Sequence, residues 1–184
     1  LSSSSAASDV YKRQILVVSQ RGKLKIISPE LTTHFSDDMI ILEKWTPKKP
    51  ISAIYFDGKK EKYYAKRFLI ENKSKQEIFI SENKGSFLEL VSTDWRPVFE
   101  IVFSKLRNKE QRPSQKIIFD EFISVKGIKA QGNQLTSHKL KQVNILEPLE
   151  YSQPVEKPDN EPELINDDRV NDESESGSAQ ATLF

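Results

Sequence analysis

Residues 51–70 read ISAIYFDGKKEKYYAKRFLI, and this stretch decides the fold class. Two runs rich in β-branched and aromatic side chains, 51–56 and 63–70, flank Asp57-Gly58-Lys59-Lys60. Such side chains suit a pleated, half-buried surface, and Asp-Gly supplies the tight reversal of a β-hairpin. Upstream, 15–19 (ILVVS) and 24–28 (LKIIS) flank Gln20-Arg21-Gly22-Lys23 in the same way. Downstream, 87–92 and 98–103 flank Thr93-Asp94-Trp95-Arg96-Pro97 and predict a third hairpin. The expected turn centres Gly22, Gly58 and Asp94 are 36 residues apart each time. A hairpin repeated at a fixed period predicts stacked or radial β units, because one hairpin cannot bury its own apolar face. A fourth segment, 116–128 and 134–145, brackets Lys129-Ala130-Gln131-Gly132-Asn133. The expectation is an all-β, propeller-like array of about three antiparallel hairpin blades over residues 15–147.

The flanks differ in kind. Residues 148–184 are rich in Pro, Asp, Glu, Asn and Ser, a composition that cannot bury enough apolar surface to offset chain entropy, so a disordered tail is expected there. Residues 1–14 fit no cap, strand or linker pattern. Their string SSAASDVYKRQ, residues 4–14, resembles the translation of a transposase adapter used in preparing sequencing libraries, and on that basis is set aside from the fold. The expectation is then that the chain is the C-terminal part of a longer protein.

The overall charge of +1 hides this division. Residues 15–147 carry 24 basic against 16 acidic residues, a net of +8, while 148–184 carry 2 against 10, a net of −8. A basic β domain is thus followed by an acidic tail, which could compete with a polyanion for the domain or simply solubilise it.

The absence of cysteine excludes a disulfide scaffold, a Cys-ligated metal and a thiol nucleophile. No apolar run approaches the ~20 residues of a membrane span, so the cytoplasm is the expected compartment. His34 and His138 lie in no metal-ligand or triad pattern, Asp37-Asp38 lacks a third carboxylate at a suitable offset, and no phosphate-loop motif is present. No catalytic residue and no metal site is assigned within this chain.

Basic residues gather in and beside the turns: Arg21, Lys23 and Lys25 at the first, and Lys59, Lys60, Lys62, Lys66 and Arg67 at the second. Lys126, Lys129, Lys139 and Lys141 flank Gly127 and Gly132. On radial blades, equivalent turns fall on one rim, where a band of Lys and Arg matches a duplex backbone and glycines admit close approach of phosphate. These twelve residues are the candidate DNA-binding set. Aromatics on the strand runs, Phe56, Tyr63 and Phe87 among them, are expected in the core, with Trp95 as the exposed exception. A protein-interaction scaffold with incidental charge is the alternative.

Three stretches carry a resemblance: VKGIKAQGNQLTSHKLKQVNILEP at 125–148, IYFDGKKEKYYAKRFLIE at 54–71, and LELVST at 88–93. They resemble the C-terminal domain of the A subunit of bacterial type IIA topoisomerases, closest to the topoisomerase IV and gyrase A-like proteins of the Bacteroidetes type. The resemblance implies a partial β-pinwheel whose basic rim bends and wraps double-stranded DNA. It further implies an A-subunit dimer working with an ATPase B subunit, through which the full enzyme takes magnesium and ATP. No cofactor is implied for this chain itself. Gln20-Arg21-Gly22-Lys23 and 127–132 are shortened relatives of the family's gyrase box, which favours a topoisomerase IV-like role. The nucleophilic tyrosine belongs to a region this chain lacks. The terminal Gln180-Ala181-Thr182-Leu183-Phe184 is similar to peptides that dock on the bacterial sliding clamp, which makes Gln180, Leu183 and Phe184 candidate clamp-binding residues.

Overall fold

The computed structural model describes residues 14–28, 34–71, 75–105 and 110–152. The strands in chain order are β1 (Ile15–Ser19), β2 (Lys23–Ile27), β3 (Met39–Lys44), β4 (Ile51–Asp57), β5 (Lys62–Phe68), β6 (Glu77–Ile78), β7 (Phe87–Ser92), β8 (Val98–Phe103) and β9 (Gln115–Ile118). A single-turn helix α1 (Phe119–Phe122) precedes β10 (Asn133–Gln134) and β11 (Leu140–Leu146). They form three antiparallel sheets in the orders β3-β1-β2-β6, β10-β5-β4-β7 and β11-β8-β9. The fold is all-β and propeller-like.

One construction rule repeats. Each sheet is built on a pair of consecutive strands, β1-β2, β4-β5 or β8-β9, and a returning strand (β3, β7, β11) joins the first of the pair. Between the pair and the return, the chain visits the preceding sheet. β6 leaves the second unit to pair with β2, and β10 leaves the third to pair with β5. The next residue extends each ladder and enters the core: Phe79 N donates to Gly22 O at 2.9 Å and Leu135 N to Tyr63 O at 2.8 Å, and both side chains are buried. Each unit therefore hands its predecessor a short strand ending in an apolar plug.

Two sheet-to-sheet cores result. Leu16, Val18 and Leu24 meet Ile51, Ala53, Phe68 and the plug Phe79 in one. Ile54 and Ala65 meet Phe99, Ile101, Phe119, Val143 and the plug Leu135 in the other. The middle sheet is covered on both faces, which is why β4 reads as a continuous apolar run instead of an alternating one. β8 does alternate, with Phe99, Ile101 and Phe103 inward. The outer face of the third sheet is polar: Glu100 accepts hydrogen bonds from Ser114 Oγ (2.8 Å) and Asn144 Nδ2 (3.1 Å). The first sheet instead exposes Ile40 and Leu42.

Residues 93–97 are not a hairpin turn. β7 pairs with β4, β8 pairs with β9 and β11, and the intervening stretch carries the chain from one sheet to the next. Strand composition on both sides of a Pro-containing spacer suits either arrangement; the open edge of β4 decides between them. The stretch that corresponds to 93–97 is 45–50, which also leaves a returning strand, also contains a tryptophan and also ends in a buried proline. The 36-residue spacing thus marks two true turns and one link. Likewise β9 and β11 do not pair across 129–133 but flank β8 on opposite sides.

The compact unit continues to Tyr151, past the boundary at 147 expected from composition. Leu149 N donates to Arg96 O at 3.0 Å, and the Tyr151 ring stacks on Trp95 at 4.5 Å, so Trp95 is half-buried instead of exposed. Residues 153–184, which hold most of the acidic tail and the Gln180, Leu183 and Phe184 peptide, lie outside the described residues. Residues 1–13 do so too. Among the described residues, no helix is long and apolar enough to cross a membrane.

Candidate nucleic-acid interface

The turn between β4 and β5 is organised by a buried carboxylate. Asp57 accepts hydrogen bonds from Lys59 N (2.9 Å), Lys60 N (3.1 Å) and Asn83 Nδ2 (3.1 Å). Burial alone would raise its pKa, but the hydrogen bonds from Lys60, Asn83 and Lys59 outweigh burial and hold it below the ordinary carboxylate value. With the backbone closed around Asp57, the side chains of Lys59 and Lys60 are exposed. The segment 83–86 sits directly on this turn. Gly58 N donates to Ser86 Oγ at 2.9 Å, and a Cβ on Gly58 would lie 2.1 Å from Lys84 O. That contact adds the exposed Lys84, which the sequence pattern did not single out.

A second segment arrives from the third unit. Tyr55 Oη donates to Gln131 O at 2.8 Å, and Lys60 Nζ donates to Gln131 Oε1 at 2.7 Å across 71 residues of sequence. Lys126 N donates to Arg67 O (2.8 Å) and Lys126 Nζ to Asn133 Oδ1 (2.9 Å). The glycine-bearing loop 127–132 is thereby laid along β5, with the exposed Lys126 fixed at the Phe68 end, away from the turn, Gln131 at the turn end, and the exposed Lys129 in the loop between them. On the third sheet's side of that turn, Lys62 and Lys139 line one groove of about 430 Å³ together with Phe56, Tyr63 and His138.

The first turn is connected to the second. The Ile80 side chain covers Gly22, and three residues later Asn83 binds Asp57, so the segment 80–86 spans the two turns along one rim. Arg21, Lys23 and Lys25 line a depression there with Asp38 and Ser36. The Arg21 guanidinium lies 3.9 Å from the Asp38 carboxylate, which offsets part of its charge. Lys141 is exposed on β11.

Two members of the expected set are not on the rim. Lys66 is 4 % exposed and Arg67 8 %. Lys66 pairs with Ala53 on the face toward the first sheet, and its Nζ donates to the carbonyl of Phe79, the donated plug. Burial pulls its pKa down to about 8, with the Lys129 charge acting in the same direction. Arg67 faces the other way, where Nη2 donates to Trp95 O at 2.7 Å. Burial lowers its pKa as well, partly countered by Asp120. These two cations hold the exchanged strand and the inter-sheet link, and neither is available to a phosphate. Their position next to a turn in sequence suggested a rim. The two-sided burial of β5, which has no signature in the run YYAKRF, sets their role.

An aromatic row was also missed. Phe87, expected in the core, is 43 % exposed and stacks on Phe56. The signal available was its place at the first position of a strand, immediately after Gly85-Ser86.

Residues 8–147 match the family described as the topoisomerase C-terminal domain of the Bacteroidota, a span that begins inside the adapter-like string. No curated protein and no solved structure matches the chain. The family match covers most of the chain and all three sheets. The chain therefore belongs to the topoisomerase C-terminal domain family of the Bacteroidota, and is a topoisomerase module.

Proposed function

We propose that the chain is the DNA-binding and DNA-bending module of a type IIA topoisomerase A subunit, a β-pinwheel fragment that holds duplex DNA across the rim of its turns. The observation that carries this reading is the gathering of Lys59, Lys60, Lys62 and Lys84 around one turn closed by Asp57, with Lys129 and Lys126 of a third segment continuing along β5 from it. Exposed lysines on a curved edge contact phosphates without reading bases. Bending a short duplex by 40–90° costs on the order of 1–6 kcal/mol, which several such contacts must offset. Lys66 and Arg67 contribute by keeping the rim's segments in place, not by touching DNA.

In the full enzyme the module acts in the cytoplasm, at the nucleoid, beside the A-subunit cleavage core and the ATP- and magnesium-dependent B subunit. It supports relaxation and decatenation in the manner of topoisomerase IV, with supercoiling as the gyrase-like variant. Contact with the sliding clamp through Gln180, Leu183 and Phe184 is part of the same proposal.

The test is duplex binding by fluorescence anisotropy across salt. The log–log slope is about −0.9 per phosphate neutralised, so Lys59→Ala/Lys60→Ala/Lys62→Ala should make it shallower by roughly 2.7. A slope that the triple substitution leaves unchanged would remove the rim from the mechanism. Absence of any binding at low salt would favour a protein-interaction scaffold.

A further inference from the structure

The groove beside the second turn carries a feature that phosphate contacts leave unused. Tyr63, Phe56 and Phe87 come from three adjacent strands and are cross-strand partners in that order. Phe56 stacks on Phe87 with centroids 5.2 Å apart at 25°, and meets Tyr63 edge-on at 5.1 Å. On the same face of the sheet, Ile54 and Ala65 are fully buried under the third sheet. The aromatic row lies one step nearer the turn, beyond that cover, and Phe87 is left 43 % exposed. Phe56 and Tyr63 face Thr136 to Lys139 across a space of about 430 Å³ whose turn end Glu61 and Lys62 close, and Phe87 flanks Phe56 outside that space. Glu61 offsets one of the two lysines, so the aromatic face and not net charge must supply any selectivity.

An exposed ring of this kind, backed by a second stacked ring and lying beside a lysine-bearing rim, suits a π-face that is attached to phosphates. Every base presents such a face, and stacking on an aromatic side chain tolerates any sequence. Proteins that bend DNA commonly unstack a step at the bend. We propose that the aromatic row flanking this groove receives a nucleobase displaced from the duplex where DNA bends over the rim, the base stacking on the exposed Phe87 beside Phe56 while its neighbouring phosphates meet Lys62 and Lys139 on the groove side. The proposal rests on the DNA-binding reading above and adds a preference for distorted duplex that backbone contacts cannot produce. A partner protein seating an apolar side chain in the same groove is the competing occupant.

The experiment uses the full chain and two duplexes of one sequence, fully paired or carrying 2-aminopurine in a single-nucleotide bulge. The bulged duplex should bind about tenfold more tightly than the paired one, with the 2-aminopurine emission quenched on binding, as for one base on an aromatic face. Phe87→Ala should abolish both the preference and the quenching while leaving affinity for the paired duplex unchanged, and Phe87→Leu, which keeps an apolar side chain without a ring, should do the same. Phe87→Tyr should retain both. Lys59→Ala/Lys60→Ala should weaken the two duplexes alike. Equal binding of both duplexes by the unaltered protein, or a preference that survives Phe87→Ala and Phe87→Leu, overturns the groove proposal and leaves the rim standing. Failure to bind either duplex overturns both.

Discussion

Gly127 and Gly132 lie in the same loop, and replacing each with alanine should have opposite consequences. Gly132 has φ of +90°, and a Cβ there would sit 2.1 Å from Ala65 O and 3.4 Å from Lys66 Cα. Those are backbone atoms of a strand buried on both faces, so nothing can swing aside. The left-handed conformation costs a non-glycine residue roughly 1–2 kcal/mol. Lifting the loop to relieve the clash would also break Leu135 N to Tyr63 O and Tyr55 Oη to Gln131 O, at about 1 kcal/mol each. Gly132→Ala should therefore cost about 3–4 kcal/mol out of the ~5–15 typical of a domain. Gly127 has no positive φ, and its nearest neighbour is Glu71 Oε1 at 3.8 Å, so Gly127→Ala should fall within about ±0.5 kcal/mol. Urea denaturation followed through Trp45 and Trp95 measures both, and hydrogen exchange at Leu135 reports the ladder directly. A Gly132→Ala loss below about 1 kcal/mol, smaller than the conformational cost alone, would refute the close approach of the loop to β5. Equal losses for the two variants would refute it as well.

Lys66 links stability to pH. The folded protein releases its proton near pH 8, whereas the unfolded chain holds it to about 10.5, so the unfolded state binds more protons between those values and stability from this group rises with pH across that window. Below pH 8 the buried charge is a standing cost on the order of 3 kcal/mol. Lys66→Met removes that cost but strands the Phe79 carbonyl, a loss of about 1 kcal/mol. The variant should thus be more stable than the parent at pH 7, with the difference shrinking toward pH 10; paired melting curves at the two pH values check this, and a difference that grows with pH contradicts it. Phe79→Ala removes a fully buried plug and should cost about 3–5 kcal/mol by denaturation, with hydrogen exchange at Leu24 and Phe79 accelerated first. A cost as small as that of an exposed phenylalanine would mean that β6 does not seal the first core.

The first two hairpins were legible because everything they need is local. Alternating or continuous apolar runs of strand length, separated by Gly-bearing turns, specify β1-β2 and β4-β5 whatever surrounds them. The third pairing was not legible. Residues 87–92 and 98–103 do form strands, but a strand's composition does not name its partner, and β7 closed on β4 while β8 took β9 and β11. The two-residue strands β6 and β10 are too short to name a partner from composition; the short apolar run Ile78-Phe79-Ile80 and the lone Leu135 only hint at them. The same limit applied to the candidate interface. Lys59 and Lys60 are where a turn must put them, whereas Lys66 and Arg67 follow so closely that sequence places them alongside, and only the second sheet's two covered faces separate the groups.

Sequence alone determined the all-β class, the two turns, the basic character of residues 15–147 and the family to which they belong, since propensity, turn chemistry and charge are properties of short segments. Tertiary structure decided the exchange of β6 and β10 between sheets, the burial of Lys66 and Arg67, the laying of the loop from Lys126 to Gln131 along β5 as far as Lys60, and the exposure of Phe87. Each of these depends on which strand edge or sheet face is left open by segments far away in the chain. Hydrogen bonding and burial at such an edge are settled only when the distant partner arrives.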